Sequence, residues 1–330
     1  METILQGGIA FILWFQGLGG WLALPMKVLS FFGSEEFFLV ALPLIYWCFD
    51  SRAGLRIGTI VLLTGSLNDI LKLALHGPRP YWYSAQVKAY SAETSFGVPS
   101  GHSQTAVGLW GMGAALIKRP WAWAVAVAMM LLIGLSRLYL GVHFVHDVLL
   151  GWALGWLVLW VFLHWWNQVA AWVQNKSLGQ QVGLALALSL MLIVLGAISF
   201  GTLRGWTLPA LWLENARLAG ATELPAPITL NGTIASAAAL FGMLAGLAWM
   251  QTQGGFDSRG SLAQRAGRLL LGVVGILVIY AGLKAIFPHG EDLVSYAFRY
   301  VRFSLVGAWI SAGAPWIFLK LKLAEKSPTV

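Results

Sequence analysis

Three short clusters between residues 72 and 147 carry side chains suited to phosphate chemistry. Lys72 is followed, after six residues, by Arg79-Pro80. Pro99-Ser100-Gly101-His102 comes next, and Ser136-Arg137 then leads after five residues to His143 and after three more to Asp147. Lys72, Arg79 and Arg137 together offer three positive charges, the complement of a phosphate dianion. Arginine supplies a fork for two oxygens and lysine a point charge. Ser100 and Gly101 fall where a helix is expected to begin, so their backbone N–H groups can point at an anion. Gly101 has no side chain to hold that anion away. His143 and Asp147 stand at i and i+4, which places them on one helical face. A carboxylate there holds one imidazole nitrogen protonated and leaves the other free to attack phosphorus. His102 is then the group that protonates the leaving oxygen and later activates water.

Each assignment has a plainer competitor. Taken singly, Lys72, Arg79 and Arg137 are snorkelling anchors at helix ends. It is their company with two histidines that favours an anion site. His146 also neighbours Asp147, but adjacent residues diverge on a helix, so His143 is the expected nucleophile. His143, His146 and Asp147 have the types for zinc or iron, yet the surrounding cations repel a divalent ion, so no metal or cofactor is expected. Asp69, one turn before Lys72 in an apolar run, reads either as a support for Lys72 or as a structural pair. Pro80 and Tyr81 follow Arg79 as support. With Trp82, Tyr83 and Tyr90, Tyr81 reads as a headgroup entrance or as an interfacial aromatic belt.

These clusters must be held by elements, and composition says which. The chain has 330 residues, of which 58% are hydrophobic and 10% charged, against roughly 25% charged in soluble domains. Mean hydropathy is +0.73. Such a chain is solvated by lipid along most of its length, and 18 tryptophans suit membrane interfaces. The net charge of +8 is spread over short loops with no polybasic run or reading module, which excludes nucleic acid as the expected partner. Cys48 is the only cysteine, so no intrachain disulfide forms. No basic segment with a small-residue cleavage site marks a removed signal peptide.

Apolar runs of spanning length are expected at about 34–48, 55–75, 101–117, 121–140, 144–165, 182–200, 228–250, 269–287 and 303–321. The stretch 7–32, interrupted by Gln16, Gly17, Gly19, Gly20 and Pro25, crosses the membrane or lies in its interface. Residues 76–99 form a polar, aromatic loop, and 167–181 looks interfacial. With no sustained alternation of period two, the fold class is all-α: a polytopic transmembrane helix bundle. On this reading all three clusters sit at helix ends on one membrane face. With the 76–99 loop outside, eleven Lys and Arg fall inside and nine outside, or six once Lys72, Arg79 and Arg137 are set aside. That bias puts the loop on the extracytoplasmic side.

The clusters KLALHGPRP, PSGH and SRLYLGVHFVHD resemble the type 2 phosphatidic acid phosphatase superfamily, whose signature K-x6-R-P, P-S-G-H and S-R-x5-H-x3-D is matched without a substitution. The resemblance covers about residues 30–165. It implies a six-helix phosphatase core, here followed by about four extra C-terminal helices, and metal-free turnover through a phosphohistidine. It makes His143 the nucleophile, His102 the acid and Asp147 the orienting carboxylate, with Lys72, Arg79, Ser100, Gly101 and Arg137 on the phosphate. The expected organisation is residues 1–33 as an N-terminal interfacial or first transmembrane helix, 34–166 as phosphatase core and 167–330 as a C-terminal transmembrane extension. The expected enzyme hydrolyses a lipid phosphate or lipid pyrophosphate, such as phosphatidic acid or a polyprenyl pyrophosphate, in the plasma (inner) membrane. Its partners are that substrate and membrane lipids, with homo-oligomerisation left open. The alternatives are a lipid phosphotransferase with a non-water acceptor, and a phosphatase core fused to a lipid-transporting domain. Because the charged residues of the second half, Arg204, Glu214, Arg217, Glu291, Asp292 and Arg299, fall in expected loops, that half is read as a structural or regulatory extension. A vanadate-dependent haloperoxidase has a related anion site, but its members are soluble.

Overall fold

A computed structural model describes residues 2–327. Among them there are helices and turns and no strand. Helix α1 (Glu2–Gln16) and α2 (Ala23–Phe31) are joined by a short 3-10 turn at Gly20–Leu22, and the pair is bent by 91°. The bend falls where Gly19 takes φ 119°, a region open to glycine. The expected run at 7–32 is therefore a broken or re-entrant segment rather than one straight span. Helix α3 (Glu35–Cys48) starts at Ser34, whose Oγ accepts from Phe37 N at 3.4 Å. Asp50 Oδ1 accepts from Arg52 N (2.8 Å) and Ala53 N (3.0 Å) at the start of α4 (Ser51–Leu75).

The expected loop at 76–99 contains one helical turn, α5 (Pro80–Tyr83), which Pro80 can open because a first-turn N–H needs no partner. Next come α6 (Gly101–Ala106), a π turn at Val107–Gly111, α7 (Met112–Ile117) and α8 (Pro120–Tyr139). Helix α9 (Val145–Gln174) does not stop near 165 as hydropathy suggests. Asn167 and Gln168 are polar but neither is a helix breaker, and the chain turns only before α10 (Leu178–Gly201). Then follow α11 (Ala210–Leu218), α12 (Asn231–Thr252), α13 (Leu262–Leu277), a π turn, α14 (Leu283–Ile286), α15 (Leu293–Ala308), a second π turn and α16 (Ala314–Lys320). Helix α15 begins ten residues before the apolar run that announced it. Asp292 caps it by accepting from Val294 N and Ser295 N, whereas hydropathy had discounted its first turns because of Arg299 and Arg302. Of the charges expected above in loops, Glu214 and Arg217 lie in α11 and Arg299 lies in α15, where Arg302 follows it.

Among the described residues, seven helices are long and apolar enough to cross a membrane, or eight if the bent N-terminal pair is one span. The chain is a multi-span membrane protein. It divides into two compact units: residues up to 37 with 67–160 and 196–229, and residues 38–66 with 161–195 and 230 onward.

In the first unit, α9 closes onto α6 through Gly151 and Gly155, a small-xxx-small pair of the type that lets membrane helices approach. A Cβ on Gly151 would lie 2.6 Å from the Ser100 carbonyl oxygen, and one on Gly155 would lie 2.7 Å from that of Gln104. Gln16 ties the loop down, donating to Lys88 O (2.8 Å) and Tyr139 O (2.9 Å) and accepting from Lys88 N (3.0 Å). Asn215 on α11 donates to Trp82 O and Tyr83 O, each at 3.0 Å, and so holds α5. In the second unit α12 and α15 pack in the same way, with Gly242 against the Ser304 carbonyl, Gly246 against Ala308 and Gly307 against Met243. Trp47, Met250, Phe256 and Phe318 form that unit's core.

A methyl group at Gly151 must push α9 away from α6. Gly151→Ala should lower Tm in detergent by an amount corresponding to about 1–3 kcal/mol of overpacking, and it should reduce turnover. Gly113→Ala, where a Cβ meets nothing within 4 Å, should leave Tm level or raised. Equal Tm values for the two variants would contradict the close α6–α9 approach.

Candidate active site

The first unit gathers the expected cations, but it uses them differently from the sequence reading. Arg79 is fully buried and spends all its donors within the protein. Its Nε donates to Ser95 O (2.7 Å). One terminal nitrogen donates to Val142 O (2.9 Å) and faces His143 Nε2 (3.3 Å), and the other reaches Ser95 Oγ (3.0 Å) and Phe96 O (3.1 Å). Its charge is available to an anion, but its fork is occupied. Lys72, in the last turn of α4, donates to the same Ser95 Oγ at 2.9 Å. Among the described residues no ion pair links Asp69 to Lys72, so the expected support is absent as a direct contact. Arg137, in the last turn of α8, donates to Ser30 Oγ (2.6 Å) and to the Glu93 carboxylate, while its buried Nε has no partner.

His143 is not on a helix. It lies two residues before α9 starts at Val145, so the i, i+4 face does not bring it to Asp147. Asp147, at the third position of α9, folds back over the helix start instead. Its Oδ2 accepts from Phe144 N at 2.8 Å, half of a capping box, and the same oxygen stands 3.4 Å from His143 Nδ1. An Nδ1–H facing the carboxylate leaves the Nε2 lone pair toward Arg79, which is the tautomer a nucleophile needs. Burial lowers the His143 pKa, and the charges of Arg79, Arg137, Lys72 and His102 lower it further, well below the ordinary value near 6.5. His146 does not diverge from Asp147 as expected, since its Nε2 lies 3.1 Å from Asp147 Oδ1. It does so from a ring 36% exposed, whereas the His143 ring is buried.

Ser100 caps α6, its Oγ accepting from Ser103 N (3.4 Å) and Ser103 Oγ (2.9 Å). Its own N–H is taken by Asp147 O at 3.0 Å, so it is not the anion donor that was expected. The first-turn N–H groups of Gly101 and His102 remain outside the helical ladder. A Cβ on Gly101 would fall 2.8 Å from Asn68 Oδ1, so helix packing demands that glycine. Asn68 in turn donates to Pro99 O (3.3 Å) and Gln104 Oε1 (2.8 Å), anchoring the PSGH turn to α4. His102 lies within electrostatic reach of Arg137, Glu93, Lys72 and Arg79.

Glu93 escaped sequence reasoning. Its carboxylate bonds Arg137, lies 3.9 Å from Arg79 and is 27% exposed. Burial works to raise its pKa, but Arg137, Arg79, His102 and Lys72 outweigh that and hold it well below the usual carboxylate range. Tyr81 fixes its backbone, with the hydroxyl donating to Glu93 O (2.9 Å) and accepting from Glu93 N (3.0 Å). Tyr81 and Trp82 are fully buried; they support the loop and form neither an entrance nor a belt. The sequence signal was there: one acid in a loop bracketed by three cationic clusters. A cleft of about 420 Å³ lined by Gln6, Ile9, Tyr83, Ser84, Gln86, Leu211 and Trp212 borders α5, but no residue of the cationic cluster lines it.

Comparison with known proteins points to a family. Residues 53–171 match the PAP2 superfamily, and residues 234–326 match the PAP2 superfamily phosphatase transmembrane extension. Glucose-6-phosphatase 3 of Homo sapiens is 32% identical over 187 residues, covering 48% of this chain and 54% of that protein. The chain thus spans about half the length of the glucose-6-phosphatases it matches. Phosphatidylglycerophosphatase B of Bacillus subtilis (strain 168) is 30% identical over 151 residues, covering 42% of this chain and 72% of that protein. The crystal structure of a transmembrane PAP2 type phosphatidylglycerolphosphate phosphatase from Bacillus subtilis aligns at 26% identity and a TM-score of 0.43, covering 51% of this chain and 89% of that one. With its three signature clusters folded into one cationic site and 72% of a relative matched at 30% identity, the chain belongs to the PAP2 superfamily of membrane phosphatases.

Proposed function

We propose that this phosphatase hydrolyses the phosphate monoester or pyrophosphate of a lipid through a phosphohistidine on His143. The observation that carries the proposal is the placement of the His143 ring, with Nδ1 toward Asp147 and Nε2 toward Arg79 among buried cations. In the first step His143 Nε2 gives its lone pair to phosphorus, the bond from phosphorus to the leaving oxygen breaks, and His102 delivers a proton to that oxygen. In the second step water attacks the phosphohistidine, His102 takes the water's proton, the P–N bond breaks and inorganic phosphate leaves. Lys72, Arg79, Arg137 and the free N–H groups of Gly101 and His102 stabilise the charge on the equatorial oxygens. Asp69 has no direct part in these steps. Every group needed comes from the chain, so no metal or cofactor is invoked.

Lipid substrate is favoured by a site built at the ends of membrane-spanning helices and by the relative covered over 72% of its length, a phosphatidylglycerophosphatase by name. The glucose-6-phosphatases that match a larger share of this chain favour a second reading, a soluble sugar phosphate. Plasma-membrane residence with an extracytoplasmic site belongs to the proposal, as does water rather than a second lipid as acceptor.

A panel of lipid phosphates, lipid pyrophosphates and sugar phosphates, assayed with chelator present, separates these readings. Turnover of a lipid member with chelator is expected, and abolition by chelator would refute the metal-free scheme. His143→Ala should lose roughly 10³-fold or more in kcat, and near-normal rates would remove the nucleophile. Because attack needs neutral His143 and its pKa in the free enzyme is lowered, the acid limb of kcat/KM, corrected for substrate ionisation, should fall below pH 6.5. A limb at or above that value contradicts the electrostatics.

Glu93 holds the donor of Arg137 that incoming phosphate needs, so it competes with substrate. Glu93→Gln keeps the side-chain shape and removes the charge. Orthophosphate inhibition should tighten about tenfold, on the scale of one charge-assisted hydrogen bond. Unchanged or weaker inhibition would show that Glu93 does not occupy the anion position.

A further inference from the structure

Helix α15 carries Arg299 and Arg302 inside a segment long and apolar enough to span a membrane. Arg302 is only 5% exposed, and Arg299 is half-buried. Among the described residues neither forms an ion pair or a hydrogen bond, and the buried Nε of each has no partner. The Arg302 guanidinium lies over Tyr280 and Phe303, with its carbon 5.3 Å and 5.2 Å from the ring centroids. Stacking of that kind engages the flat faces of the group and leaves the in-plane N–H fork free. The same helix and its neighbour α12 hold three further buried polar atoms without partners: Tyr296 OH, Ser304 Oγ and Thr233 Oγ1.

The physical anomaly is the charge. An ionisable group within the membrane is paired or faces a ligand or ion path, because an uncompensated one is costly. Each buried donor left without a partner costs about 1–3 kcal/mol. Glu291 is within electrostatic reach of Arg299, but no carboxylate approaches either arginine within 4 Å among the described residues. Two guanidinium groups with free edges and no acid call for an oxyanion. A zwitterionic headgroup suits them poorly, since its cation would meet theirs.

We propose that Arg299 and Arg302 form an anion site in the transmembrane extension that takes a phosphate oxyanion, supplied by an anionic phospholipid headgroup or by free phosphate. It shares no residue with the catalytic cluster and does not depend on the proposed reaction. In the N-terminal phosphatase unit Arg137 has Glu93, whereas Arg299 and Arg302 must draw their counterion from outside the chain.

The test uses the purified, delipidated full chain in detergent, with its tryptophan fluorescence followed on heating. Phosphatidylglycerol, phosphatidylcholine and inorganic phosphate are added separately to the wild type, Arg302→Gln, Arg299→Gln and Arg302→Lys. Wild-type Tm should rise with phosphatidylglycerol and not with phosphatidylcholine. Arg302→Gln and Arg299→Gln should need roughly tenfold more anion for the half-maximal shift, and Arg302→Lys should fall between. A shift seen with phosphatidylglycerol alone identifies the lipid headgroup as the source. An Arg302-dependent shift with inorganic phosphate identifies free phosphate. Glutamine variants that respond as the wild type does overturn the proposal, as does a change confined to oligomeric state on size exclusion, which would mean that the arginines face a second copy. Should neither glutamine variant fold, equal wild-type shifts with phosphatidylglycerol and phosphatidylcholine overturn it.

Discussion

Positive charge held away from water must be answered by negative charge, and the first unit is organised around that constraint. Arg79 and Arg137 are both buried, and Lys72 joins Arg79 at a single acceptor, Ser95 Oγ. Glu93 supplies the only acidic group within 4 Å of Arg79 or Arg137 among the described residues. A cluster of this composition favours an acidic partner because the alternative, unpaired guanidinium in a dry environment, is costly. The two arginines have different tasks. Arg79 is saturated by Ser95, Phe96, Val142 and His143, so it fixes the loop and the ring while contributing field. Arg137 keeps an unused Nε and a carboxylate that can be exchanged.

The rest of that unit keeps these groups at fixed separation. Gly151 and Gly155 let α9 approach α6, so the Asp147 carbonyl can take the Ser100 N–H. One hydrogen bond thereby joins the turn that presents His102 to the helix start that orients His143. Asp147 serves twice, since the oxygen that caps α9 also faces the His143 ring. Helix stability and the tautomer of His143 are consequently set by the same atom. Tyr81, Gln16 and Asn215 anchor the 80–93 stretch by its backbone, and a polar loop thus acquires the rigidity of an element.

Much of this was legible in the sequence, and the failures are physical. The three clusters and the helical class were readable because charge among apolar runs and helix-start residues are local signals. The i, i+4 argument for His143 and Asp147 reached the correct pair by the wrong geometry, because the helix begins at Val145 and a cap rather than a shared face brings them together. Ser100 N–H seemed free because its acceptor, Asp147 O, is 47 residues away in sequence. Glu93 stands out in the sequence as the acid of the 76–99 loop, but its partner was not readable for the same reason, since Arg137 comes 44 residues later. Arg299 and Arg302 were misplaced because hydropathy locates spans by averaging, while Asp292 starts α15 by capping it. A capped helix carries its charges into the apolar region whatever the average says.

That last misreading reaches the function assigned to the second half of the chain. Charges confined to loops suggested a structural or regulatory extension, and the observed helix carries Arg299, with Arg302 one turn on, into a span. The phosphatase cluster shows what this protein does where arginines are buried for good: Ser30 and Glu93 meet Arg137, and backbone carbonyls meet Arg79. Arg268 follows the same rule in the second half, its terminal nitrogens donating to the carbonyls of Asp257, Ser258 and Arg259. Arg299 and Arg302 break that rule in the same molecule. Elsewhere each of these buried guanidinium groups has its terminal nitrogens met by the chain's own carbonyls, hydroxyls or a nearby acid, even where Nε is left over as in Arg137 and Arg268, whereas this pair has no such partner, and a pair left open on a membrane helix is the arrangement that an external anion would answer.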